Sequence, residues 1–241
     1  MIVTASTKLS DLILRNHNLV PVINRFGIQL GFGDHNIETI CQLHQVNIHF
    51  FLEIVNSFLD QNYFPQKNLQ SFPARLIVEY LSKSHRYYLE VKIPKIEQLI
   101  EQLQWNADQK DTHISLLKKF FEQYKKEVTE HIEEEELTAY PYALLIEQAL
   151  GTGGISANLR NKMENYSISV YADSHDDIEE KLLDLKHIII KYLPPPTTAN
   201  SYFEVLAELF KLENDLADHS LIEEKVLMPK VREMESKLKQ L

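Results

Sequence analysis

Cysteine is almost missing from this chain. A single residue, Cys41, in 241 excludes an intramolecular disulfide framework and suits a reducing compartment. Glycine is scarce too, at six, and Val and Thr are sparse beside Leu, Ile, Glu and Lys, which favours a mostly helical protein. Positive charge is in deficit: the net charge of −10 argues against binding a nucleic-acid backbone, and no basic stripe overrides it. No apolar run approaches the ~20 residues that span a bilayer. The N-terminus lacks the basic segment and apolar run of a signal peptide. The expectation is a soluble, cytoplasmic protein that engages neither nucleic acid nor membrane. At 44% hydrophobic residues it has enough apolar surface for an ample core.

What is present falls into three stretches. Residues 1–60 read as short helices: Ser10 as a cap, Pro21 in a first turn with Gly27 as its stop, then a helix over 36–44 capped by Asp34 or Asn36 and one over 47–59 capped by Asn47. Pieces this short are not stable alone, so they are expected to pack as a small helical N-terminal domain. Residues 61–72 are polar and without periodicity, and read as a linker. From 73 to 241 the pattern changes to long helices, over about 73–103 with a kink at Pro94, 111–137 continuing past Pro141 to 150, 166–192, and 200 to the C-terminus with a bend at Pro229. Four long helices joined by modest loops predict an all-α protein built on an antiparallel four-helix bundle.

One pattern is written twice. His131-x-x-x-Glu135-Glu136 is followed by Pro141, and His219-x-x-x-Glu223-Glu224 by Pro229. On a helix, positions i and i+4 lie about 40° apart, so each His and its Glu share a face and can act as paired metal ligands. The bare His-x-x-x-Glu pair is weak in so acidic a chain, since random placement gives about one match. Four occur, and only these two combine the second Glu with a Pro at +10. The repeat selects Glu135 over Glu134, because Glu135 aligns with Glu223 whereas Glu134 aligns with Ile222.

Four histidines, one per predicted bundle helix, are nearly evenly spaced: His85, His131, His175 and His219, at intervals of 46, 44 and 44 residues. A helix of ~28 residues plus a loop of ~15 returns the chain to the same height in an up-down bundle. The offsets of 88 between His131 and His219 and 90 between His85 and His175 suggest a duplicated helical hairpin. Four imidazoles and two carboxylates without thiolate suit iron or manganese and do not exclude zinc. The remaining six histidines are read as ordinary helix or surface residues. Phe120, Phe121, Tyr124, Tyr202, Phe203 and Phe210 are read as core.

His85, His131-x-x-x-Glu135, His175-Asp176-Asp177 and Asp218-His219-x-x-x-Glu223 with Pro229 together resemble the hemerythrin-like (HHE cation-binding) domain, over about residues 73–241. The likeness is to its di-iron members that repair iron centres. Asn24-Arg25-Phe26-Gly27-Ile28 and the helix ending at Cys41 resemble that group's N-terminal domain. The resemblance implies a non-haem pair of irons, oxo- or hydroxo-bridged, held by His85, His131, Glu135, His175, His219 and Glu223. It implies oxygen or nitric oxide as small ligand and damaged iron–sulfur proteins as partners; a homodimer is carried as one assembly beside a monomer. It also implies a role in nitrosative or oxidative stress. One departure stands out: the adjacent cysteines usual in the N-terminal loop are Leu30 and Gly31 here, so a cysteine-dependent step lacks its thiol. Cys41 falls within a predicted helix and is expected to be buried. Three functions are carried forward: a redox-active repair protein, a reversible sensor of a diatomic ligand, and a metal-free helical interaction protein.

Overall fold

In the computed structural model, residues 2–60, 62–104, 110–173, 178–193 and 199–240 are described. The described residues are helical throughout apart from turns and loops. Four short helices lead: α1 (Leu9–Arg15), α2 (Leu19–Arg25), α3 (Ile37–Leu43) and α4 (Ile48–Leu59). The side chains of Asn36 and Asn47 accept from the amides of Thr39 and Phe50, at 2.9 and 3.0 Å, and so cap α3 and α4 as expected. Gly27 follows α2 with φ of +78°, a left-handed conformation that glycine adopts freely. Ser10 is not a cap, because α1 already begins at Leu9 with Lys8 before it.

The stretch expected to be a bare linker carries α5 (Gln66–Ser71). Polarity concealed one anchor: Leu69 is fully buried and docks the helix.

The long rods are α6 (Ala74–Tyr87) with α7 (Ile93–Glu101), α8 (Lys110–Glu134) with α9 (Tyr140–Thr152), α11 (Ile168–Asp173) and α12 (Ile178–His187), and α13 (Ala199–Ile222) with α14 (Met228–Leu238). A helix not anticipated, α10 (Ala157–Asn165), lies between the second and third rods. Ser156 caps it by accepting from the Leu159 amide. At one end α7 packs on α8, α8 on α12, α12 on α13 and α13 on α7, which closes a ring of four helices. At the other end α9 packs on α14 and α6, and α11 on α14.

Among the described residues, a π turn joins α6 to α7 at Tyr88–Lys92, α8 to α9 at Glu135–Ala139 and α13 to α14 at Glu223–Leu227, and another ends α12 at Ile188–Tyr192. In each, the closing amide reaches back five residues: Ile93 to Tyr88, Tyr140 to Glu135, Leu193 to Ile188 and Met228 to Glu223. The next residue in the sequence is always proline: Pro94, Pro141, Pro194 and Pro229. A proline continuing an α turn would clash with the carbonyl four residues back and give it no donor; one extra residue in the turn relieves the clash. The carbonyl four before Pro229 belongs to Lys225. It is satisfied from outside, by Gln70 Nε2 of α5 at 2.7 Å.

The bundle interior is two apolar clusters with a polar seam between them. Along the first rod, Leu81 of α6 belongs to one cluster and Tyr88 of the π turn to the other, with Ser84 and His85 in between. The second rod passes from Ile132 through Glu135 to Ala139, and the fourth from Leu216 through His219 to Ile222, crossing the same boundary. Of the six aromatics expected in the core, Phe121 and Tyr124 are buried and Tyr202 partly so. Phe120, Phe203 and Phe210 are exposed, because they lie on outward faces of α8 and α13.

Candidate metal centre

The seam is where the doubled pattern meets. His85, Glu135, His219 and Glu223 each offer one donor atom, and these four atoms all lie within 4.8 Å of one another. The Nε2 atoms of His85 and His219 are 3.0 Å apart. His85 Nε2 is 2.9 Å from Glu135 Oε2, and His219 Nε2 is 3.5 Å from Glu223 Oε2. Glu135 is 0% exposed and Glu223 2%, a depth at which a carboxylate needs a positive partner. The π turns begin at these same two glutamates, so the widened turns set where the carboxylates leave the helices.

His131 joins from the side. Its Nε2 is 3.0 Å from Glu135 Oε1, so Glu135 faces one imidazole with each oxygen. His131 is not one of the four donors that cluster most tightly. His175 falls at 174–177, outside the described residues. Sequence spacing thus brings five of the six expected residues to one level.

Three groups that sequence reasoning passed over complete the surroundings. Glu136, the second Glu of the pattern, reaches back to His85 Nδ1 at 2.7 Å and accepts from Ser82 Oγ at 3.1 Å. The contact with Glu136 holds the ring so that His85 Nε2 points toward the centre. Tyr140 donates to Glu223 Oε1, and Tyr171 donates to Glu135 Oε1 at 2.6 Å. The doubled Glu was the available signal for Glu136; nothing in the pattern marked the tyrosines.

Burial opposes protonation of His85, but its hydrogen bonds to Glu135 and Glu136 outweigh burial and push it up to about 9. Without a cation, a proton on His85 offsets part of the carboxylate charge at neutral pH. Nitrogen and oxygen donors, an imidazole held by a carboxylate behind it, and two sealed carboxylates fit a divalent or trivalent first-row metal.

The N-terminal helices press on this seam through Arg25, at the end of α2. Its guanidinium is 2.5 Å from Asp215 Oδ2 and 5.5–5.7 Å from the ring centres of Tyr80, Tyr87 and Tyr88. Tyr88 donates to the Asp215 carbonyl and meets the His219 ring edge-on at 5.7 Å. Asp215 lies one helical turn before His219. Cys41 is buried, as expected, and burial pushes its thiol up to about 11, the opposite of a reactive thiolate. His17, His35, His44 and His49 are exposed, away from any such cluster.

A helical bundle with a buried level of imidazoles and carboxylates defines a class of cation-binding proteins. The profile of the family described as "Hemerythrin HHE cation binding domain" matches residues 94–231, more than half of the chain. The chain belongs to that family. It is also similar to curated proteins named iron-sulfur cluster repair protein YtfE, from Escherichia coli O139:H28 (strain E24377A / ETEC), Escherichia coli (strain K12 / DH10B) and Shigella boydii serotype 18. In each case it is 22% identical over 165 residues, covering 68% of this chain and 69% of the relative. No helix among the described residues is long and apolar enough to cross a membrane.

Proposed function

We propose that the seam holds a non-haem centre of two iron ions, with His85, His131, Glu135, His175, His219 and Glu223 as the protein ligands. The observation that carries this reading is the convergence of two imidazole Nε2 atoms, 3.0 Å apart, on two fully buried carboxylates. His85 and His219 serve one ion; His131 and His175, their counterparts under the 88–90 residue repeat, serve the other. Glu135, with one oxygen toward His85 and the other toward His131, spans both positions. Bound irons supply open coordination positions and one-electron redox change. The chain's own part is to aim the imidazoles and to seal the carboxylates from water between two apolar clusters, with His85 giving up its proton as metal enters.

The function that best fits is a cytoplasmic response to nitrosative or oxidative stress, in which the centre donates iron to, or clears nitric oxide or peroxide from, damaged iron–sulfur proteins. The similarity to proteins named for iron–sulfur cluster repair supports it. A second reading is a reversible oxygen or nitric oxide sensor. Two observations favour it: Leu30 and Gly31 stand where a cysteine pair would serve chemistry, and Arg25 ties the N-terminal helices to the turn before His219.

Metal analysis of protein isolated without chelator tests the centre. About two irons per chain is the expected result, and a metal-free protein whose fold is unchanged in the His131→Ala, His219→Ala double variant would overturn it. Stopped-flow mixing of the reduced protein with nitric oxide, paired with reactivation of a damaged iron–sulfur enzyme, separates the two readings. Reactivation supports repair; a reversible adduct without reactivation supports sensing.

A further inference from the structure

We infer that Tyr140 and Tyr171 are positioning residues of the metal centre, each phenol donating to one oxygen of a ligand carboxylate and thereby fixing the orientation in which that carboxylate meets the cations. The inference rests on the metal site proposed above. Tyr140, from the second rod, donates to Glu223 Oε1 on the fourth. Glu223 Oε2 is then the oxygen turned toward His219. Tyr171, from the third rod, donates to Glu135 Oε1, the oxygen that also faces His131, while Glu135 Oε2 faces His85. Each carboxylate is thus held by a hydroxyl from a different rod, and its orientation does not depend on its own χ angles alone.

Tyr140 has a second hold. Its ring lies parallel to that of His85, with 3° between the planes and 5.4 Å between the centres, and its hydroxyl is 3.4 Å from His85 Nε2. One side chain therefore fixes an imidazole from the first rod and a carboxylate from the fourth. Burial, and after it the facing carboxylates, push both phenols upward, so they remain hydrogen-bond donors at neutral pH.

These donors are not part of the internal repeat. The counterpart of Tyr140 at the 88-residue offset is Met228, and that of Tyr171 at the 90-residue offset is Leu81. Neither counterpart carries a strong donor. The two hydroxyls thus lie outside the repeat, one for each carboxylate.

A control lies two residues away. Tyr142 is equally buried and donates to the buried Glu235 at 2.6 Å, but Glu235 anchors the Ile168 amide and takes no part in the cluster. Tyr140→Phe, Tyr171→Phe and Tyr142→Phe each delete one hydroxyl and keep the ring. Co(II) is titrated into metal-free protein and followed by its visible d–d bands, with affinity fixed by chelator competition and fold checked by circular dichroism. Wild-type protein that fails to take up Co(II) refutes the metal site itself. If it binds, Tyr140→Phe and Tyr171→Phe are expected to weaken binding by about 10- to 100-fold and to shift the d–d bands. Tyr142→Phe should leave affinity and bands at wild-type values. Wild-type affinity and spectra in both site variants overturn the inference, as does equal weakening in Tyr142→Phe. Should Tyr140→Phe lose its fold, Tyr171→Phe decides alone.

Discussion

The two copies of the ligand pattern share a backbone and differ in their neighbours. Both run His, four residues to Glu, a π turn starting at that Glu, and a proline just after the turn closes. In the first copy Glu136 turns back to hold His85 Nδ1, and Tyr140 reaches across to Glu223. In the second copy Glu224 is exposed beside Lys225, and Met228 takes the place of Tyr140. Spacing therefore fixes where ligands leave the helix, while the residues around them give the two halves unequal roles. A duplicated frame need not produce a symmetric site.

The harshest way to break that comparison is at Glu135, the carboxylate with an imidazole at each oxygen. Glu135→Ala is expected to abolish stoichiometric iron binding, measured by metal analysis after reconstitution, because both positions lose a shared ligand. Retention of two irons per chain would mean that Glu135 does not span the two positions. A milder cut separates the second glutamates. Glu136→Gln weakens the carboxylate that anchors His85 and should lower Co(II) affinity by about 10- to 100-fold. Glu224→Gln, at the exposed counterpart, should stay within about twofold of wild type. Equal losses in the two variants would show that the copies are more alike than these contacts indicate.

Much of this was legible before any coordinates. The i, i+4 pairs, the even spacing of the histidines and the proline at +10 located five residues that do converge, because helical periodicity converts spacing directly into position. What the spacing of ligands did not reveal was their support. The proline at +10 marked a repeat, but its effect, a widened turn that begins at the glutamate, emerged only from the backbone. Tyr140 and Tyr171 come from rods other than those of the carboxylates they hold, and contacts of that kind leave no local period. Leu69 was missed for a related reason: one apolar residue among polar neighbours carries no periodic signal, yet it docks α5 and brings Gln70 to the carbonyl released by Pro229.

pH sharpens the comparison from the side of His85. In the metal-free protein its partners hold it protonated up to about 9, above the ordinary 6.5. A cation must displace that proton, so apparent Co(II) affinity should rise about tenfold per pH unit from 6.5 to 9 and level off above. Metal should be released below about pH 6, because a protonated imidazole cannot ligate. Glu136→Gln removes one of the groups that raise His85, so the levelling-off should move to lower pH. Chelator competition at fixed ionic strength measures both curves, and coincident curves would sever Glu136 from the behaviour of His85.

The smallest effect expected is the one on which the two copies should agree. Pro141→Ala and Pro229→Ala each restore an amide and remove the ring that forbids an α turn at that point. The turn then has two registers open to it, and the glutamate at its start is held less firmly. Because the π turn, unlike the surrounding contacts, is common to both copies, the two variants should lose similar amounts of Co(II) affinity, each less than about tenfold. The Pro229→Ala variant has one added feature, since the Lys225 carbonyl gains a helical donor and no longer depends on Gln70. Gln70→Ala in that background should therefore cost less thermal stability than in wild type. A tenfold or greater difference between the two proline variants would show that the widened turns are not equivalent, and that the asymmetry of the site begins in the backbone itself.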